Sequence, residues 1–179
     1  MSIEKIKTFS IQKSDQIDGV VIFKPTLYID HRGSLFTTFH SEIFSEFLPP
    51  NYSFEHDKFS VSKHRVLRGI HGDNETWKLV TAVYGAIYQV VVDCRPHSIT
   101  YGKWQSFEIN GNNLILILLP PGIGNAFYVL SKEAVYHYKL AYLGEYNDFD
   151  KQFTVKWNDP FYNIQWPTDS PILSSRDQS

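Results

Sequence analysis

The segment VLRGIHGD, residues 66–73, places an arginine and a histidine at the end of a hydrophobic run. Histidine can accept a proton near neutral pH, and arginine binds anions through a planar fork of donors. Side chains of a regular strand alternate between its faces, so Arg68 and His71 would point to opposite sides. Gly69 lies between them, and a glycine within a strand often marks a bulge that redirects the following side chains. Two interpretations follow: both side chains enter one cavity, or the segment is an edge strand with a solvated arginine and a hydrogen-bonded histidine.

Two further segments turn polar side chains toward a side that should be apolar. In the first segment, residues 134–142, alternation places three tyrosines and a leucine on one face: Tyr136, Tyr138, Leu140 and Tyr142. A phenol at a cavity wall could transfer a proton, although inward tyrosines are more often core residues with a bonded hydroxyl. Lys78 alternates with Val80 and Ala82, so a buried ammonium would need an anion or a developing negative charge, unless it extends to solvent.

A metal site is the next possibility, because many small β-barrels hold one with two histidines a residue apart, a nearby glutamate and a later histidine. Here Asp73 stands where the second histidine would be, and Asn125 stands in place of the later one. The remaining groups are a poor match to any transition-metal ligand set. We predict no metal and no cofactor.

Composition limits the class of protein. The 179 residues, of which 42% are hydrophobic, predict a single domain over residues 1–179. Seventeen basic and 19 acidic residues nearly cancel, so we expect neither nucleic acid nor a membrane as partner. The single cysteine, Cys94, rules out an intrachain disulfide framework. Residues 1–15 lack the apolar core of a signal peptide and the aliphatic run 114–119 is too short to span a bilayer, which favours a cytoplasmic protein.

The elements that must position these side chains are short, rich in Val, Ile, Tyr and Phe, and separated by turn formers, which is typical of strands. We predict strands over residues 20–24, 34–39, 53–62, 65–71, 77–84, 86–93, 103–109, 114–119, 126–130 and 134–143. Only residues 40–48 have a helical apolar stripe, and two prolines follow it. The prediction is an all-β fold, a jelly-roll barrel with one short N-terminal helix and an interior that can hold a ligand.

Motifs along nearly the whole chain resemble one family. They are DHRG from Asp30, VLRGIH ending at His71, KLV from Lys78, VVDCR from Val91, PPG ending at Gly122, YHYK from Tyr136, WNDP from Trp157, IQWP from Ile164 and LSSRD from Leu173. In this order they are similar to those of the dTDP-4-dehydrorhamnose 3,5-epimerases, metal-independent sugar-nucleotide epimerases of the cupin superfamily. The resemblance implies the double-stranded β-helix of cupins.

The resemblance also implies an isomerase reaction and its catalytic residues. Such enzymes invert a carbon next to the C4 ketone of a nucleotide-linked sugar, removing its proton and returning one from the opposite face. His71 matches the base, Tyr138 the acid, and Asp177 the carboxylate that orients the histidine. Lys78 matches a residue near the sugar and could stabilise the enolate oxygen.

Two arginines match residues that bind the diphosphate and the sugar: Arg32 and Arg68. In the family, the segment that Arg32 matches reaches into the neighbouring subunit. The resemblance therefore implies a homodimer.

Some positions depart from the dTDP-sugar enzymes. His56 and Lys58 stand where those enzymes usually carry Gln and Asn, Thr37 replaces a glutamate, and Asn125 replaces a histidine. Several segments are instead similar to epimerases of bacterial capsule biosynthesis that act on GDP-linked 4-keto-heptoses. They are FEHDKF from Phe54, GIHGD ending at Asp73, WKLV from Trp77, GIGN ending at Asn125, KEAVYHYKLAYLGEY from Lys132 and WPTDSPILSSRD from Trp166. We therefore favour a GDP-linked 4-keto-heptose over the alternative, a dTDP-linked 4-keto-6-deoxyhexose, and assign substrate contacts to His56, Lys58, Asn125 and Asp73.

Other activities stay open on the sequence. A non-catalytic sugar-nucleotide-binding cupin would need the arginines but not the acid and base pair. A ketoisomerase that moves the carbonyl between C3 and C4 would share the barrel and the base. Epimerisation at C3 alone and at both C3 and C5 would use the same His71 and Tyr138, so the residues do not distinguish them.

Overall fold

The structure, a computed structural model, describes residues 8–146, 148 and 150–178. Its strands are β1 (Phe9–Lys13), β2 (Val21–Pro25), β3 (Tyr28–Asp30), β4 (Gly33–Leu35), β5 (Phe54–Lys63), β6 (Leu67–Gly72), β7 (Trp77–Tyr84), β8 (Ile87–Asp93), β9 (Trp104–Ile109), β10 (Leu116–Leu119), β11 (Ile123–Val129), β12 (Glu133–Ala141) and β13 (Phe153–Thr154). Its helices are α1 (Ser41–Ser45) and α2 (Ser175–Gln178). The predicted all-β class is confirmed.

Two antiparallel sheets form the body of the fold. One has the order β1-β2-β10-β7-β12-β5, the other has the order β13-β6-β11-β8-β9, and β3 and β4 form a separate hairpin. Within the described residues, the sheets do not close into one continuous barrel. This arrangement is the jelly roll that the strand pattern predicts.

The core lies between the two sheets. Val80 of β7 and Ile117 of β10 pack in the same cluster as Val91 of β8 and Phe127 of β11. All four side chains are fully buried. Strand alternation explains this, because each strand of a two-layer fold turns every second side chain toward the other sheet.

The outer faces of both sheets are also covered. Phe44 of α1 packs with Phe23 and Leu79 on the six-stranded sheet. On the other sheet, Ile70 and Val92 pack against the C-terminal segment 155–166. Two-sided burial explains why several strands are continuously apolar instead of alternating.

Strand β6 departs from regular alternation at Gly69. Leu67 and Ile70 are both fully buried although they are three positions apart, and the pairing with β11 shifts register between Asn125 and Phe127. Gly69 has a positive φ of 115°, and a Cβ there would lie 2.5 Å from the carbonyl oxygen of Asn125. Only glycine suits such a position, and the irregularity redirects the side chains that follow it.

The structure differs from the predicted elements in several places. The helix expected over 40–48 is shorter, Ser41–Ser45, and a second helix, α2, lies near the C-terminus. The strand expected over 34–39 is reduced to β4, and the sequence did not predict β1, β3 or β13. These strands are short or mostly exposed, so they carry little hydrophobic pattern.

Candidate active site

A cavity of about 390 Å³ is lined by side chains of β5, β6, β7, β11 and β12, and its size is within the range of small-molecule sites. It brings together seven of the ten residues that the sequence singled out: Lys58, Arg68, His71, Lys78, Asn125, Tyr138 and Asp177. Arg68 and His71 therefore share one cavity, which confirms the first interpretation of the Gly69 segment.

His71 is held by a carboxylate from the far end of the chain. Its Nε2 lies 2.5 Å from Oδ1 of Asp177, and the hydroxyl of Ser174 donates to Oδ2 of the same carboxylate at 2.7 Å. Asp177 is 3% exposed. Burial alone would raise the pKa of Asp177, but the hydrogen bonds from His71 and Ser174 lower it below its ordinary value. An ionised carboxylate on Nε2 keeps the proton there and leaves the lone pair of a neutral imidazole on Nδ1.

Tyr138 lines the cavity from the other sheet. Its ring meets that of Tyr136 edge to face, with centroids 4.7 Å apart. Burial raises the pKa of Tyr138 far above its ordinary value, and the positive charge of Arg68 opposes that shift. The phenol is therefore protonated at neutral pH and is able to act as a proton donor.

Lys78 is buried with a counter-ion. Its side chain is 7% exposed, and Nζ lies 3.0 Å from Oδ2 of Asp73. Burial lowers the pKa of Lys78 and the ion pair opposes that shift. Oδ1 of Asp73 accepts hydrogen bonds from the backbone N–H groups of Glu75 and Thr76. The alternation of Lys78 with Val80 and Ala82 is confirmed, and the ammonium faces the cavity.

The remaining charges make the cavity suited to an anion. Nε of Arg68 donates to the Ser62 hydroxyl at 2.9 Å, which fixes the guanidinium at the wall. Nζ of Lys58 lies 3.0 Å from Oδ1 of Asp148 and 4.5 Å from the centre of the Tyr146 ring. With Arg176, four of the lining side chains are basic and two are acidic.

Three of the predicted site residues do not line the cavity. Arg32 lies on the β3–β4 hairpin, with its side chain 79% exposed and paired with Asp30. His56 is bonded through Nδ1 to the Tyr142 hydroxyl at 2.8 Å. Asp73 lies behind Lys78, a position that suits it to hold the ammonium rather than to touch a substrate.

Leu140, which the sequence placed on the same face as Tyr138, also lines the cavity. Other lining residues were not singled out from the sequence: Phe59, Ser60, Tyr146, Asp148, Gln152, Ser174 and Arg176. Alternation could have found Ser60, because it follows Lys58 on the same face. The sequence around Tyr146, Asp148 and Gln152 carries no periodic signal, so the place of these three side chains at the cavity was not predictable. No group of three or more metal-ligating side chains occurs within the described residues, and none of the helices found there could span a membrane.

The family model described as dTDP-4-dehydrorhamnose 3,5-epimerase matches residues 14–179. The chain belongs to this family. This result confirms the predicted resemblance and the predicted class of enzyme, an epimerase among the isomerases.

Named relatives cover most of the chain. The dTDP-4-dehydrorhamnose 3,5-epimerase of Escherichia coli (strain K12) is 34% identical over 167 residues, which are 91% of this chain and 89% of that protein. The dTDP-4-dehydrorhamnose 3-epimerase of Streptomyces niveus is 36% identical over 167 residues, covering 90% of this chain and 78% of that protein.

A solved family member has the same fold. The crystal structure of dTDP-6-deoxy-D-glucose-3,5-epimerase from Legionella pneumophila Philadelphia 1, in complex with dTDP-4-keto-L-rhamnose, gives a TM-score of 0.85 at 33% identity. The match covers 94% of this chain and 89% of that one. These relatives are named for dTDP-linked sugars, so they support the dTDP-linked alternative better than the GDP-linked heptose, for which they give no support.

Proposed function

We propose that this chain epimerises a nucleotide-linked 4-keto sugar by proton transfer between two walls of the cavity. One observation carries the proposal: His71, on β6 of one sheet, and Tyr138, on β12 of the other, line the same cavity. Inversion at carbon needs a base on one side of the ring and an acid on the other. The two sheets supply one group each.

The first step removes the proton next to the ketone. Nδ1 of His71 takes the proton, and the Asp177 carboxylate stabilises the imidazolium that forms. The electron pair of the broken C–H bond moves onto the ketone oxygen and gives an enolate. Lys78 is the cation placed to stabilise this developing charge, because its buried side chain lines the cavity and a charge interaction is stronger away from bulk water.

The second step returns a proton from the other face. Tyr138 donates its hydroxyl proton to carbon, the enolate returns to the ketone, and the configuration is inverted. The phenolate that remains lies near the charge of Arg68, which favours the ionised form. No oxidant, reductant or cofactor is needed, because the sugar has the same oxidation state before and after the reaction.

The proposed substrate is a dTDP-linked 4-keto-6-deoxyhexose, as in the named relatives. A GDP-linked 4-keto-heptose is the second candidate, because Lys58 and Asn125, two of the positions that depart from the dTDP-sugar enzymes, line the cavity. The relatives include enzymes named for both 3- and 3,5-epimerisation, so the positions inverted are part of the test.

Solvent exchange tests the activity. The chain is incubated in D₂O with dTDP-4-keto-6-deoxyglucose and, separately, with a GDP-linked 4-keto-heptose, and NMR follows deuterium at C3 and C5. Incorporation with inversion supports the proposal and reports which carbons react. Exchange with neither substrate favours the non-catalytic binding cupin, and a carbonyl moved to C3 identifies a ketoisomerase.

Thermal stabilisation by dTDP and by GDP shows which nucleotide the chain prefers. A ligand that binds only the folded state raises the melting temperature with its concentration. Larger stabilisation by dTDP than by GDP at equal concentration supports the dTDP-linked substrate, and the reverse result supports the heptose.

A homodimer is also proposed. The β3–β4 hairpin carries Arg32 and exposes Ile29 and Leu35 at 74% and 73%, an unusual exposure for large apolar side chains. If a second copy of the chain covers this hairpin, Arg32 of the first copy would reach the cavity of the second copy. Light scattering during size exclusion measures the mass, and a monomer at micromolar concentration would contradict this proposal.

A further inference from the structure

Gln89 is a polar residue in the apolar core. It lies on β8 between Ile87 and Val91 on the face that packs against the other sheet, and all three are fully buried. A hydrophobic side chain would pack there without needing hydrogen bonds, whereas a buried amide is tolerated only when its bonds are satisfied. The position therefore calls for an explanation beyond packing.

The hydrogen bonds of Gln89 fix which way its amide points. Its Nε2 lies 3.0 Å from the carbonyl oxygen of Val90 and 2.9 Å from that of Ala126. Backbone carbonyls only accept hydrogen bonds, so the amide nitrogen must face them. On the other side, Oε1 accepts from the Tyr136 hydroxyl at 2.6 Å.

Gln89 in turn fixes the amide of Asn125. The same Nε2 lies 2.7 Å from Oδ1 of Asn125, the shortest of its three contacts, so its two hydrogens are shared among three acceptor oxygens. A reversed Asn125 would set two donor nitrogens against each other at that distance. It could then donate to the Tyr136 hydroxyl, which is 3.1 Å from Oδ1, but this longer bond would not offset the closer repulsion. Asn125 therefore turns its oxygen inward.

The side-chain nitrogen of Asn125, Nδ2, is available to donate a hydrogen bond into the cavity. Asn125 lines the cavity and is 6% exposed, and within the described part of the chain no residue accepts a hydrogen bond from its Nδ2. Asn125 also pairs across the sheet with His71, the proposed base. A donor that is fixed in direction thus lies beside the residue that would attack the sugar.

We propose that Gln89 is a positioning residue that fixes the Asn125 amide so that Nδ2 donates a hydrogen bond to a sugar oxygen beside His71. The inference rests on the proposed function and names a specificity determinant within it. Asn125 then selects substrates that present an acceptor oxygen at this place. Unlike a titrating side chain, the amide keeps this donor at every pH at which the chain is folded.

Kinetics in a double-mutant cycle test the coupling. Gln89→Met keeps the length of the side chain and removes the amide, so Asn125 is free to reverse. We expect kcat/KM for the better of the two 4-keto sugar nucleotides to fall about tenfold, the upper range for the loss of one hydrogen bond to a neutral oxygen. In an Asn125→Ala background the same change should cost less than about twofold, because Gln89 has nothing left to position.

Gln12→Met, on the exposed edge strand β1, is the matched control and should leave kcat/KM unchanged. Equal losses from Gln89→Met in both backgrounds would show that Gln89 acts on its own, and would overturn the proposal. Gln89→Met combined with Tyr136→Phe provides a variant with no unpaired hydroxyl if the single change folds poorly.

Two measurements remain decisive even if no sugar nucleotide is turned over. Neutron diffraction from the perdeuterated chain locates the amide deuterons, and the proposal requires them on the cavity side of Asn125. Calorimetry compares dTDP-glucose with dTDP, or the GDP-linked pair if GDP binds better. Gln89→Met should weaken the binding of the sugar nucleotide and leave the affinity for the bare nucleotide unchanged. A reversed Asn125, or no sugar-dependent loss, would overturn the inference, whereas lack of turnover alone would overturn only the epimerase proposal.

Discussion

His71 Nε2 and Asp177 Oδ1 lie 2.5 Å apart although 106 positions separate the two residues in the chain. The carboxylate comes from α2, which packs against β6, and Ser174 holds its second oxygen. A short C-terminal helix thus completes a pair whose other member lies in the middle of the chain. The tautomer of the imidazole depends on this contact.

Replacement of Asp177 tests the pair. Asp177→Asn keeps the shape of the side chain but removes the charge that holds the proton on Nε2. Because a positioned base typically contributes about 10² to 10⁴-fold, we expect kcat to fall by about 10²-fold or more. Steady-state kinetics on the 4-keto sugar nucleotide measure it. Ser174→Ala, which removes only the support of Asp177, should cost much less, and equal losses would argue against a special role for the carboxylate.

Replacement of the proposed base and acid should separate the two halves of the reaction. Tyr138→Phe leaves His71 able to remove and return a proton on one face, so exchange with D₂O should continue without inversion. His71→Asn should lose both exchange and inversion, by about 10² to 10⁴-fold. NMR of the recovered substrate distinguishes these outcomes. Tyr84→Phe, at a 64% exposed tyrosine, is the control, and inversion retained by Tyr138→Phe would remove that residue from the mechanism.

Variants of the buried ion pair between Lys78 and Asp73 should affect stability and catalysis separately. Lys78→Met leaves Asp73 buried without its counter-ion, which we expect to cost about 3 to 5 kcal/mol in the free energy of unfolding. Adding Asp73→Asn removes the orphaned charge and should restore part of that loss without restoring turnover. Urea unfolding and kinetics of the two variants measure this. Recovery of activity in the double variant would contradict the role of Lys78 at the enolate.

Acid stability should depend on Asp93. Burial alone would raise the pKa of Asp93, but hydrogen bonds from Arg95, Ser98 and Thr100 lower it to about 2. A carboxylate with a lowered folded pKa stabilises the protein above its unfolded value of about 3.9, and this stabilisation is lost as the pH falls toward the folded value.

The expected stabilisation is about 2.7 kcal/mol at neutral pH, given about 1.4 kcal/mol for each unit between the unfolded pKa of about 3.9 and the folded pKa of about 2. The advantage of the wild type over Asp93→Asn in urea unfolding should shrink by this amount between about pH 5 and about pH 2. Asp15→Asn, which removes an exposed carboxylate, is the control for the loss of one negative charge. A constant difference between wild type and Asp93→Asn would contradict the assignment.

Strand alternation predicted much of the site because it depends only on neighbours in sequence. It placed Lys78 and Tyr138 inward, and the glycine at position 69 indicated where Arg68 and His71 could converge. Alternation says nothing about which strands pair. The bond between Gln89 and Asn125 joins β8 to β11, and Tyr146, Asp148 and Gln152 line the cavity from outside the strands, so neither could be predicted.

The bounds of α1 and the edge strand β1 were also not predictable from the local hydrophobic pattern. The apolar stripe of 40–48 identified α1. Phe44 is buried, and Ile43 and Phe47 pack partly buried against the same cluster, but the helix ends at Ser45. Strand β1 buries Phe9 alone and exposes the rest, so its hydrophobic pattern is too weak to indicate a strand.

The rings of Phe127 and Tyr136 stack with centroids 4.2 Å apart, one from each sheet. His71 and Tyr138 belong to opposite sheets, and this contact is one of those that pack the two sheets against each other. Tyr136 is also bonded to Gln89 and Asn125 through its hydroxyl, whereas the Phe127 ring carries no polar group. Directed evolution toward bulkier or smaller carbohydrates would therefore begin at Phe127, where the ring size can change while the hydrogen bonds of Tyr136 stay in place.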